Sequence, residues 1–84
     1  MYNVVIERTA EKDLLRLQKK TLTDVIIKIR SLSQNPRPVG SKKLQGSHND
    51  WRIRVGDYRI LYEIADKEKE VRVMKVRHRK EVYR

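Results

Sequence analysis

The sequence predicts a small single-domain α+β protein: an N-terminal strand, a helical hairpin, then antiparallel strands forming a twisted sheet. Three observations predict it. A short run of β-formers, residues 2–7, is followed by two stretches whose apolar residues recur at helical spacing. From residue 51 the spacing changes to strand-like alternation, interrupted by a Gly-Asp turn. The chain has 84 residues, which suits one domain (1–84) with a single core between two thin layers.

The elements follow in order. Tyr2, Val4, Val5 and Ile6 give the first strand its β-branched and aromatic character. Thr9 is the expected N-cap of the first helix, with Glu11 and Asp13 in its first turn facing the positive end of the helix dipole. Ala10, Leu14 and Leu17 form its buried stripe. Thr21 is the expected cap of the second helix, whose apolar face is Leu22, Val25, Ile26, Ile29 and Leu32. Asn35-Pro36 ends it, because the residue before a proline is pushed out of the helical region. Residues 36–49, rich in Pro, Gly, Ser and Asn, form the long connection, in which Leu44 marks a brief strand and His48 has no evident role.

Residues 51–62, WRIRVGDYRILY, read as a β-hairpin around Gly56-Asp57. A two-residue loop sets Val55 against Tyr58, Arg54 against Arg59, Ile53 against Ile60, Arg52 against Leu61 and Trp51 against Tyr62. One face is then apolar, and the other carries Arg52, Arg54 and Arg59. Like charges placed opposite one another weaken a strand pair by up to about 1 kcal/mol, so the arrangement calls for either an anion between them or long side chains that splay into water. Residues 66–70 form a polar turn and residues 71–76 a last strand. Plain alternation puts Val71 and Val73 on one face of that strand and Met74 and Val76 on the other, as for a strand covered on both sides. A basic tail, RHRKEVYR, completes the chain.

Twenty-one Lys and Arg against eleven Asp and Glu leave a net charge of +10, which points to a polyanionic partner such as RNA, DNA or an acidic protein. The absence of cysteine excludes disulfides and thiolate metal sites, and two histidines make a poor zinc site, so no metal and no cofactor is expected. No apolar run approaches membrane-spanning length and the N-terminus is soon charged, which predicts a cytoplasmic protein without a membrane partner. Lys42 and Lys43 read either as solvated loop charges or as outer phosphate contacts, as do Arg77 and Lys80 in the tail. An aromatic such as Tyr83 within a basic segment suits stacking on an unpaired base while cations hold phosphates, a combination fitted to single-stranded RNA.

The order and spacing of KKLQG at residues 42–46, WRIRVGDYRILYEI at 51–64 and VRHRKEVYR at 76–84 resemble a RelE/ParE-superfamily toxin of a toxin/antitoxin pair, closest to the RelE branch. The resemblance implies a microbial ribonuclease-like fold, cleavage of mRNA in the ribosomal A site, and inhibition by a cognate antitoxin. It also implies a toxin that is monomeric alone and joins a higher-order complex with the antitoxin. The family's basic catalytic positions fall on Arg52, Arg54, Arg59 and Arg79, and its stacking tyrosine on Tyr83. Two departures stand out: arginine occupies the first two positions, often lysine in the family's best-known member, and Arg77 replaces a common glycine. A guanidinium is a poor proton acceptor near neutrality, so His78 and Glu81 become the candidates for proton transfer, although His78 reads equally as a strand-end histidine. The related gyrase-poisoning branch generally lacks the full basic and tyrosine set, and a non-catalytic RNA-binding module needs only the charge.

Overall fold

The computed structural model describes residues 1–47 and 49–82. In chain order its elements are β1 (Asn3–Ile6), α1 (Arg8–Leu15), α2 (Lys19–Ser31), β2 (Lys42–Lys43), β3 (Asp50–Val55), β4 (Tyr58–Ala65), β5 (Glu70–His78) and α3 (Arg79–Val82). Five strands form one sheet in the order β1-β5-β4-β3-β2. All pairings are antiparallel except that of β1, which returns beside β5 in parallel and makes the sheet mixed. The crossover that a parallel pair requires contains the helical hairpin, which sits over one sheet face.

The core lies between those layers. Ala10 and Leu14 from α1, Val25 and Ile29 from α2, and Leu32 just beyond α2 meet Ile53, Ile60, Tyr62, Ile64, Val71, Val73 and Val76 from the sheet. Tyr62 is fully buried and donates its hydroxyl to the Pro36 carbonyl at 2.7 Å, satisfying the one polar atom it carries inside and fixing the start of the long connection. Burial pushes its phenol pKa upward.

Both helix starts differ from the expected caps. α1 begins after Glu7 and α2 after Gln18, neither with a side-chain cap, so Thr9 and Thr21 lie inside the helices. For α2 the tight succession of the helices explains this, because the bend at residues 16–18 leaves little chain for a separate cap. Helix α2 ends at Ser31, before Asn35-Pro36; there the Asn35 side chain instead accepts the Arg37 N–H at 3.1 Å in a local turn. The brief strand in the long connection is Lys42–Lys43, with Leu44 just past it.

Asp13 also departs from its expected place in the first turn of the helix, where of the two carboxylates only Glu11 lies. Its side chain is only 7% exposed, and Oδ2 accepts both the Val76 backbone N–H and the Arg77 Nε–H at 3.0 Å. The reason is topological. β1 covers β5 only as far as Val73, so the edge beyond it has no strand partner, and the carboxylate on α1 takes that place.

The largest departure is in β5. Opposite β4 its register shifts between Leu61 and Tyr62: Tyr62 pairs with Val73 but Leu61 pairs with Lys75, leaving Met74 as the extra residue of a β-bulge. Val76 therefore faces the core with Val71 and Val73, rather than sharing a face with Met74. The strand is buried on one side, and Lys75 and Arg77 fall in register with the outer face.

On the surface, Arg37 grips Asp66 through both guanidinium Nη atoms (3.3 and 2.8 Å), and the Tyr2 hydroxyl donates to the same carboxylate at 2.5 Å. Arg37, followed by Tyr2, lowers the Asp66 pKa to about 2. Because the folded value lies below the ordinary 3.8, this contribution to stability is complete above that value and disappears as pH falls through about 2. Denaturation midpoints of the protein and of Asp66→Asn should converge across that acid window and differ above it. For Asp13→Ala, which strands the Val76 N–H and the partly buried Arg77, urea titration should show a loss of roughly 2–4 kcal/mol.

Candidate nucleic-acid interface

The hairpin has the register that its sequence predicts, from Trp51 opposite Tyr62 through Arg54 opposite Arg59 to Val55 opposite Tyr58. Gly56 has φ +57° and Asp57 is not in the left-handed region, the pattern of a two-residue turn that requires glycine first. With this turn in place, alternation puts Ile53 and Ile60 in the core and Arg52, Arg54 and Arg59 on the outer face.

Lys42, opposite Arg52 on β2, joins them. These four cations and Gly40 line a cleft of about 190 Å³. Neighbouring backbone carbonyls orient two of its guanidiniums: Arg54 Nε donates to the Gly56 carbonyl at 2.9 Å and Arg59 Nη1 to the Tyr58 carbonyl at 3.3 Å. Each bond uses one N–H of a five-donor fork, leaving the guanidiniums donors for an anion. Such a cleft binds phosphate groups by charge and by directed N–H donors, and positive charge preorganised around a phosphate stabilises the charge that develops during its transfer.

Arg79 reaches the same end of the sheet from the first position of α3. Its N–H donates to the Asp57 carbonyl at 2.7 Å, and its Nε lies 3.8 Å from Asp57 Oδ1. The hairpin turn thus anchors both Arg54, through Gly56, and Arg79, through Asp57.

Other residues singled out by sequence lie elsewhere. Lys43 pairs with Trp51 and is on the opposite face from Lys42. Arg77 is opposite Arg59, and its Nε is bonded to Asp13, which gives it a structural tie. His78 is opposite Tyr58, on the face away from the arginines; its ring meets the Tyr58 ring edge-on at 5.3 Å, and Nδ1 accepts the Lys80 N–H at 3.2 Å. Glu81 lines a small hollow with Asp13 and Arg77, away from the arginine cleft, and Lys80 is exposed on α3. Tyr83 and His48 lie outside the described residues. Sequence reading missed Gly40 and Lys75. The first follows from where the long connection folds back, and the second depends on the bulge.

Comparison with known proteins identifies the family and the fold. Residues 4–83 match the family model described as ParE toxin of type II toxin-antitoxin system, parDE. Toxin RelG of Mycobacterium tuberculosis is 33% identical over 84 residues, covering 99% of this chain and 97% of the relative. The RelBE2 toxin-antitoxin complex of the same organism contains a chain that is 32% identical with TM-score 0.81, the match covering 92% of this chain and 96% of that one. A chain of the archaeal RelE-RelB complex from Pyrococcus horikoshii is 28% identical with TM-score 0.84, covering 95% and 97%.

An anion that fills the cleft should stabilise the protein in proportion to its binding. Pyrophosphate at about ten times its dissociation constant should add roughly 1.4 kcal/mol, read as a rise in thermal midpoint, and Arg54→Ala or Arg59→Ala should remove most of that rise. Without the anion, either substitution should change stability by less than about 1 kcal/mol, because it also removes a like-charge opposition.

Proposed function

The chain belongs to the ParE toxin family of type II toxin-antitoxin systems and is RelE-like, and from that premise we propose that it is a ribosome-dependent mRNA endoribonuclease restrained by a cognate antitoxin. The observation that carries this reading is the direct opposition of Arg54 and Arg59 inside a cleft shared with Arg52 and Lys42. So dense a cluster of cations has its natural counter-charge in a phosphodiester. The cytoplasm, where ribosomes carry mRNA, is the proposed site of action. The relatives whose structures contain RelB with RelE support an antitoxin as the second partner.

In the proposed reaction the ribose 2′-oxygen attacks the adjacent phosphorus, forming the P–O2′ bond and breaking P–O5′. The products are a 2′,3′-cyclic phosphate and a 5′-hydroxyl end. Water takes the 2′-hydroxyl proton and supplies one to the departing 5′-oxygen. The protein contributes alignment and charge. Arg59 and Arg79 stabilise the phosphorane, Arg52 and Arg54 hold backbone phosphates with Lys42 at the rim, and Tyr83 stacks on a base. His78 and Glu81, placed away from the cleft, receive no proton-transfer role.

The test uses programmed ribosomes, with mRNA ends mapped under single-turnover conditions. Cleavage by Arg59→Ala should fall by roughly 10²- to 10³-fold with its thermal midpoint retained. His78→Gln should remain within about tenfold of the unmodified protein, whereas loss of a general base would cost roughly 10² to 10⁴. A folded Arg59→Ala that cleaves at the full rate would remove the assignment. The description of the matching family model favours a second reading, a gyrase-directed toxin, and an arm with gyrase and supercoiled DNA separates the two.

A further inference from the structure

The outer face of the sheet carries more than the cleft. Reading across strands, one row is Lys42, Arg52, Leu61 and Lys75, and the row beside it begins Arg54, Arg59. The row on the other side is Asp50, Glu63 and Arg72, where Arg72 is occupied by Glu70 at 2.5 Å and by Glu7 at 3.7 Å. Lys75 is exposed and has no carboxylate within ion-pair distance among the described residues.

We propose that Lys75 is a further RNA-contacting residue, which holds a phosphate flanking the one in the cleft and so extends the binding track across the sheet from β2 to β5. The proposal rests on the RNA reading of the cleft. Strand spacing of about 4.8 Å puts Lys42 and Lys75 roughly 14 Å apart, enough for more than one phosphate of an extended strand. Carboxylates of Asp50 and Glu63 bound the row on one side and repel phosphates there, which directs the strand across the sheet rather than along it. Half-buried Leu61, between Arg52 and Lys75, offers an apolar surface to a sugar or base where the cations hold the backbone. The bulge makes this geometry available, since plain alternation from Val73 would turn Lys75 towards the core.

Each phosphate neutralised on a single strand contributes about 0.7 to the log-log salt slope, equivalent to about fivefold in affinity between 1 M and 0.1 M salt. The experiment measures anisotropy of a fluorescein-labelled single-stranded oligouridylate across a KCl series, with uridine 3′-monophosphate as a competitor that spans the cleft alone. Lys75→Ala should weaken oligonucleotide binding about fivefold at 0.1 M salt and lower the slope by about 0.7, with mononucleotide binding unchanged. Lys12→Ala, which removes the same charge from the exposed side of α1, supplies the control for net charge. Equal behaviour of the Lys75 and Lys12 variants would overturn the track and leave ribosomal cleavage untouched. The expected Lys75 effect without ribosomal cleavage would sustain the track and overturn the nuclease reading. Failure of the unmodified protein to bind the oligonucleotide would overturn the track directly.

Discussion

One extra residue in β5 decides which side chains this protein presents to a partner. The sequence VRVMKVRH cannot satisfy strict alternation, because Val73 and Val76 are three residues apart and both belong in the core. Accommodating Met74 as a bulge restores the phase, placing Val76 opposite Ile60 inside and Lys75 opposite Leu61 outside. Burying Lys75 instead would cost several kcal/mol or force its deprotonation, which is more than a local break in the ladder costs. The bulge is therefore where core packing and surface charge are reconciled. It falls just past the end of β1, where β5 has already lost its outer neighbour.

Beyond that point the fold secures the free strand with a carboxylate. Asp13 accepts the edge N–H of Val76 and holds Arg77, tying α1 to the last turn of strand before α3. Its partner guanidinium opposes Arg59 in register, so the contact also draws one cation from an already crowded row. Like charges concentrate on the outer face, and the arginine bonds to Gly56 and Tyr58 fix direction without neutralising charge. A surface of oriented, incompletely compensated donors is what phosphate recognition requires.

Which parts of this were legible in sequence depends on how far the deciding contact lies along the chain. The hairpin register was legible in full, because Gly56-Asp57 fixes it locally and every pair follows by counting. Both amphipathic helices were legible from spacing, but their starts were not, and at α2 the bend shared with α1 overrides the usual capping residue. Sequence alone concealed the bulge, because the run from Val71 admits two phases and only pairing with β4 selects one. The role of Asp13 is set by residues 63 and 64 positions away, and nothing near it in the chain signals that partnership. Arg52, Arg54 and Arg59 could be grouped in advance, whereas Lys75, Gly40 and the placement of His78 waited on tertiary structure.

The same turn that makes the hairpin predictable also reaches beyond its own strands. Gly56 offers its carbonyl to Arg54 and Asp57 its carbonyl to the Arg79 N–H, so a local conformation orients one arginine of the cleft and the first residue of α3. An isolated four-residue helix is far too short to hold its shape in water, and α3 relies on such anchors. The His78 ring, edge-on to Tyr58 with Nδ1 receiving the Lys80 N–H, braces the same junction from the other face. Those contacts give His78 a structural part: they fix the direction in which the chain leaves the sheet. The position of Arg79 is thus determined at two removes, by a glycine that permits the turn and by a strand that reaches His78 in the correct phase only because Met74 has been set aside.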